Sequence, residues 1–269
     1  MTLLQALILG IVEGITEYLP VSSTGHLLLA ERALGIERSE AADAYAICIQ
    51  AGAIVAVLGL YRRRVGQLLS GLLGRDAAGF RLFVQLVVAF LPAAVLGFLF
   101  NDAIDDVLFG LWPVVAAWAV GGVAILTLKG RSGGRRLEDL DIKTAFLIGC
   151  AQCLALWPGT SRSLATILGA VMLGVSMPAA VEFSFLLGLE TLGAATAYAG
   201  LKHGGEMLHA FGPGPIIVGF VASGVSAALS VKWLVSWLQS HGLEVFAAWR
   251  LGLAALVAGL LAAGVILPG

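Results

Sequence analysis

The sequence predicts an all-α polytopic membrane protein made of two inverted-topology repeats, each a re-entrant helix hairpin followed by three transmembrane helices. Three observations carry this. The 269 residues are 59% hydrophobic and 12% charged, about half the roughly 25% charge of soluble domains, and mean hydropathy is +0.96. Apolar runs of spanning length, about 20 residues, recur along the chain. Two polar motifs interrupt apolar segments at matching places, one at 13–26 and one at 152–166.

Residues 2–19 are nearly long enough to span, but Glu13 and Glu17 break the run and Pro20 stops it. Residues 24–34 are too short. Together 2–34 read as a hairpin that enters and leaves on one side, its irregular turn tolerable only if buried in protein or lining a cavity. Full spans follow at 43–61, 81–100 and 111–129. A second hairpin covers 142–175, with its turn at Pro158-Gly159. Further spans are expected at 179–201, 213–236 and 246–267. The single membrane domain thus divides into a first repeat, 1–130, and a second, 131–269. Gly10 and Gly149 each precede a polar residue by three positions, Glu13 and Gln152. Aligning Pro20 with Pro158 pairs Ser23 with Ser161 and Thr24 with Arg162. Three spans per half require the repeats to be inverted, and interrupted segments at matching positions point to a site near the midplane.

Charge gives the same topology. Arg62, Arg63, Arg64, Arg75 and Arg81 fall in one loop, and Lys129, Arg131, Arg135, Arg136 and Lys143 in another. Both belong in the cytoplasm by the positive-inside rule. The acidic stretch 101–106 belongs outside, and Lys232 and Arg250 flank the last inner loop. Both termini are then outside, the first hairpin dips in from outside and the second rises from the cytoplasm. The N-terminus lacks the basic region of a cleaved signal peptide. A net charge of −1 offers no nucleic-acid footprint. Cys48, Cys150 and Cys153 lie in apolar runs and read as small buried residues.

Glu13 and Glu17 are four apart and share a helix face. Paired carboxylates repel unless a cation or proton lies between them, and such oxygen ligands suit Mg²⁺ or Ca²⁺. A proton relay and a solvated helix face are the alternatives. Ser22, Ser23 and Thr24 precede a helix, so one of them serves as its cap, and the helix N-terminus suits a phosphate. His26 follows Ser23 by three residues, a spacing that permits a base to activate a serine. Arg162 is the only basic residue at the core of the second hairpin and needs an anion at that depth. Phosphate matches its planar fork, and an ion pair with Glu13 or Glu17 is the structural alternative. Ser161 and Ser163 flank it at another helix start. Gln50, Glu182 and Glu190 are weaker polar signals within spans, and His203, Glu206 and His209 read as a solvated outer loop at 202–212.

These motifs, Glu13 to Glu17, Pro20 to His26, Pro158 to Ser163 with Thr166, and Glu182 to Leu187, resemble those of the undecaprenyl-diphosphate phosphatase family, the bacitracin-resistance type of integral membrane phosphatase. The resemblance spans nearly the whole chain. It implies removal of the terminal phosphate from a polyprenyl diphosphate lipid carrier of cell-wall synthesis, divalent-metal dependence, and a bacterial inner-membrane location with the site opening to the periplasm. By motif, Ser23 is the nucleophile, His26 its base, and Glu13 and Glu17 serve metal binding or proton transfer. Arg162 with Ser22, Thr24, Ser161, Ser163 and Thr166 holds the diphosphate. Two departures, Leu164 in place of the family's glycine and Glu190 near its usual proline, fall outside the catalytic set and bear on the lipid groove. A homodimer is compatible with the chain. The rival class is an ion-coupled transporter or flippase for a phosphorylated lipid or anion, because inverted repeats with broken helices are common among transporters.

Overall fold

The computed structural model describes residues 1–108, 110–131 and 133–267, with no side-chain description for 101–103 and 105–107. The described residues form eleven α-helices and two short 3-10 turns, with no strand beyond an isolated bridge between Arg135 and Val175. The first hairpin is α1 (Leu3–Thr16) and α2 (Ser23–Ala33), joined by the turn 17–22. Then come α3 (Glu40–Leu60), α4 (Arg62–Leu72), α5 (Ala77–Leu108) and α6 (Leu111–Thr127). The second hairpin is α7 (Ile142–Gln152) and α8 (Arg162–Met172), joined through a 3-10 turn at Cys153–Leu156. The chain ends with α9 (Met177–Phe211), α10 (Pro213–Trp237) and α11 (Glu244–Ala262). Five helices are long and apolar enough to cross a membrane by length and composition. Large apolar side chains such as Phe98, Leu99 and Leu229 face outward, as hydrocarbon surroundings allow.

Helix packing rests on small residues. α1 lies against α10, α10 against α3, and α3 against α9, while α5 packs on α7 and α6 on α11. At Gly14 an added Cβ would stand 2.2 Å from the Ser223 carbonyl oxygen and from Ser226 Oγ of α10. Gly10 meets the Gly219 carbonyl in the same way, and Gly149 of α7 meets Ala89 of α5. Between apolar helices in lipid, close backbone approach replaces the hydrophobic driving force.

Three expectations change. The 62–81 segment is a helix and not only a loop: α4 carries three arginines in its first turn and packs on α5. The stretch 202–212 is not a loop either, because α9 continues to Phe211. At 35 residues α9 is roughly 52 Å long, well beyond a hydrocarbon core of about 30 Å. Likewise α5 continues as helix through the acidic stretch 101–106, most of whose side chains lie outside the described residues.

The two arginine-rich segments do share one end of the molecule. Arg64 Nη2 donates to Glu138 at 2.9 Å and Arg64 Nε to Glu182 at 2.7 Å, while Arg81 reaches the Glu138 carbonyl. Arg64 holds the Glu138 carboxyl below its ordinary pKa. We expect Gly14→Ala to destabilise the fold by about 2 kcal/mol through overpacking against α10, read as a lowered thermal unfolding midpoint in detergent. An unchanged midpoint would show that α1 and α10 can separate at no cost.

Candidate active site

Both hairpins turn in the same unusual way. The helices α2 and α8 are capped by Ser22 and Ser161, the only described non-glycine residues with positive φ, at 77° and 76°. Ser22 Oγ accepts from Gly25 N and Ser161 Oγ from Leu164 N. The structural correspondence is therefore Ser22 with Ser161, one residue away from the proline-based alignment. Capping accounts for Ser22 and leaves the next residue, Ser23, free to do something else.

Ser23 Oγ donates to Glu17 Oε2 at 2.5 Å, within a buried environment. The other oxygen, Oε1, accepts from Arg162 Nη2 at 3.2 Å. This buried ion pair joins the two hairpins. Arg162 Nη1 donates to the Ser184 carbonyl of α9 at 2.8 Å, and the guanidinium lies 5.4 Å from the Tyr18 ring centroid. Gly188 makes room for it: a Cβ there would stand 2.5 Å from Nη1. Arg162 Nε has no partner among the described residues. Glu13, one turn before Glu17, is fully buried, and among the described residues its carboxylate meets no polar group but the carboxylate of Glu17. The structure thus brings Glu13, Glu17, Ser23 and Arg162 together.

His26 is placed differently from the role its motif implied. Its Nδ1–H donates to the Ser22 carbonyl at 2.7 Å, and its Nε2 accepts from the Trp249 indole at 2.9 Å. Both ring nitrogens are engaged away from Ser23, whose hydroxyl turns to Glu17 instead. Thr24 is exposed. Ser163 Oγ donates to the Leu19 carbonyl at 3.1 Å and shares a 3.0 Å contact with Ser161 Oγ. Thr166 Oγ1 sits 2.7 Å from Ser184 Oγ. Ser163 thus ties the second hairpin to the first turn, and Thr166 ties α8 to α9 at Ser184, whose carbonyl accepts from Arg162.

The sequence reading placed Arg250 beside an inner loop, and this is corrected: Arg250 is fully buried. Nη2 donates to the Ala117 and Gly159 carbonyls at 2.8 and 3.0 Å, Nη1 to Pro20 and Nε to Trp118 at 3.3 Å. It has no carboxylate partner among these contacts, yet it serves the turn of each hairpin. The indole of Trp118 donates to the Val21 carbonyl at 3.1 Å. Tyr18, Ser184, Trp118, Trp249 and Arg250 were not singled out as site residues from the sequence. Only Arg250 carried a visible signal, a lone cation after five apolar residues, Val245 to Trp249.

The remaining polar residues lie elsewhere. Glu182 is paired with Arg64 at the arginine-rich end, and Glu190 Oε2 is buried without a partner. His203 Nδ1 lies 3.5 Å from Glu40 Oε2 and from Glu206 Oε2, on helices and not on a loop. Cys150 is exposed, against expectation, and Cys48 and Cys153 are half-buried; all three are free.

The profile of the family described as bacitracin resistance protein BacA matches residues 6–256. The chain belongs to the BacA family. It is 45% identical over 260 residues to a protein of Chromobacterium violaceum named undecaprenyl-diphosphatase 1, covering 96% of both chains. A Sorangium cellulosum protein named undecaprenyl-diphosphatase is 45% identical over 94% of this chain and 84% of its own. A third of the same name, from Cereibacter sphaeroides, is 42% identical over 96% of this chain and 98% of its own.

The Arg250 geometry yields a test. We expect Arg250→Lys to keep the charge, lose most of the four carbonyl contacts and destabilise the protein by about 3 kcal/mol. The check is the thermal unfolding midpoint; an unaltered midpoint would make the contacts dispensable.

Proposed function

We propose that the chain hydrolyses undecaprenyl diphosphate to undecaprenyl phosphate and inorganic phosphate, as an integral membrane phosphatase that recycles the lipid carrier for cell-wall polymers. The observation that carries the reading is the Ser23–Glu17–Arg162 chain, an oriented hydroxyl, a carboxylate that accepts its proton and a cation beside them. The names of the relatives support the same reaction. A transporter would leave the serine-to-carboxylate hydrogen bond without a purpose.

Glu17, and not His26, is the group positioned to take the Ser23 proton, because a base must lie within hydrogen-bond reach of it. Ser23 Oγ forms a bond to the terminal phosphorus as its proton passes to Glu17 Oε2. The bond from that phosphorus to the bridging oxygen breaks, Glu17 passes the proton on to the leaving oxygen, and undecaprenyl phosphate leaves. Water, giving a proton to the regenerated Glu17 carboxylate, then attacks the phosphoserine; its bond to Ser23 Oγ breaks, the serine recovers the proton from Glu17, and inorganic phosphate leaves. Arg162 stabilises charge on the phosphoryl oxygens, the main demand of phosphoryl transfer. His26, tied between Ser22 and Trp249, fixes the first turn of α2 and so aims Ser23.

The Glu13 carboxylate, buried against that of Glu17 with no donor beside it among the described residues, fits a divalent cation in its donor chemistry. Glu13 with a share of Glu17 would hold Mg²⁺ or Ca²⁺, which supplies neutralisation of the phosphate's negative charge. The inverted two-repeat architecture with boundaries at 130 and 131, the bacterial inner membrane and a periplasmic opening complete the reading. Its supports are the exchange-related packing, α1 on α10 and α7 on α5, and the arginine-rich end, cytoplasmic by the positive-inside rule.

The experiment is phosphate release from undecaprenyl diphosphate by purified protein in detergent, with Mg²⁺, with Ca²⁺ and with chelator. Release should require metal. Ser23→Ala, Glu17→Gln and Arg162→Ala should each lower turnover at least 10²-fold, whereas His26→Gln should lower it less than Glu17→Gln. Near-normal turnover by Ser23→Ala would remove the covalent step. A His26→Gln loss exceeding that of Glu17→Gln would restore His26 as the base.

A further inference from the structure

Arg162 packs on α9 at Ser184 and Gly188. The next residue on that stripe of the helix is Thr191, three positions on, roughly 4.5 Å along the axis. Thr191 Oγ1 lies 3.3 Å from Gln152 Oε1 and 3.0 Å from the Leu187 carbonyl, and its one hydrogen is shared between these acceptors. Gln152 ends α7, in the same hairpin as Arg162, and is 1% exposed. Its Nε2 has no partner among the described residues. A buried amide donor left unpaired costs free energy comparable to a lost hydrogen bond, so the geometry reserves it for something that arrives.

Two unpaired N–H groups therefore lie along one side of α9, Arg162 Nε and Gln152 Nε2. Both other nitrogens of Arg162 are occupied, Nη2 by Glu17 beside Ser23 and Nη1 by Ser184. The Glu17 end of the guanidinium faces the nucleophile, and Gln152 lies a further turn along α9 from Gly188. A diphosphate has two phosphates to satisfy, one attacked by Ser23 and one left on the lipid.

We infer that Gln152 is a substrate-positioning residue whose amide Nε2, oriented by Thr191, donates to the phosphate that is not transferred. This rests on the anion site assigned to Arg162 above. Gln152 thereby distinguishes a diphosphate headgroup from a monophosphate, which has no second phosphate to offer.

The test uses full-length Gln152→Leu, Gln152→Glu and Arg162→Lys in detergent, with thermal unfolding midpoints measured for each. KM and kcat are determined for undecaprenyl diphosphate, and inhibition by inorganic pyrophosphate and by inorganic phosphate is compared. A hydrogen bond to a charged oxygen corresponds to roughly 10- to 100-fold in affinity. Gln152→Leu should raise KM and the pyrophosphate inhibition constant by about that factor, with the phosphate constant within threefold. Gln152→Glu is isosteric and keeps the Thr191 contact, but places a carboxylate against the phosphate, so it should be the worse of the two. If Gln152 merely packs on Thr191, Gln152→Glu will behave as wild type and Gln152→Leu will lose stability only; that result overturns the inference. Arg162→Lys impaired beside unimpaired Gln152 variants overturns the inference alone. Arg162→Lys unimpaired overturns the anion site and the inference with it.

Discussion

Irregular backbone within a membrane protein has no water to satisfy it, and this constraint governs the whole arrangement. The first turn exposes the carbonyls of Leu19, Pro20 and Val21, and each is met by a donor from a different element: Ser163 of α8, Arg250 of α11 and the Trp118 indole of α6. The second turn exposes Gly159, which Arg250 also serves. One guanidinium thus supplies both hairpins. A fully buried cation offset only by carbonyl dipoles is expensive, and its persistence here follows from the greater cost of leaving those carbonyls bare.

The same network defines what the site can do mechanically. The two turns share Arg250 and are joined again by Glu17 with Arg162 and by Ser163 with Leu19. A rocking motion of one half against the other would break all of these at once. A rigid site that lipid headgroups enter suits phosphoryl transfer, where preorganised charge does most of the work.

Much of this was legible in the sequence. Hairpins, spans and the Glu13, Glu17, Ser23 and Arg162 set announced themselves because polar residues in apolar runs are rare and need a reason. The end of α9 was misjudged because polar residues such as Lys202, His203 and Glu206 look the same on a helix that has left the membrane as on a loop. α4 was overlooked because its arginines mask an amphipathic period. The contacts of His26 were not legible because sequence spacing places a ring near a hydroxyl but says nothing about competitors, and Trp249 is 223 residues away. Arg250 was read as a topology signal because its partners are backbone carbonyls, which no residue type reveals.

The left-handed serine caps carry a rule about which residues these two positions will accept. At Ser22 and Ser161 the backbone sits at φ near +77°, where a Cβ is itself a penalty, while the side-chain oxygen is needed to end the helix. The usual hierarchy of replacements is consequently inverted. Glycine relieves the backbone as it surrenders the oxygen, asparagine keeps an oxygen on a residue type that tolerates positive φ better than most, and alanine forfeits the oxygen while keeping the clash. Threonine, elsewhere the closest substitute for serine, adds a branch that this conformation resists. Backbone shape therefore narrows what these sites can accept, even though neither serine is the proposed nucleophile.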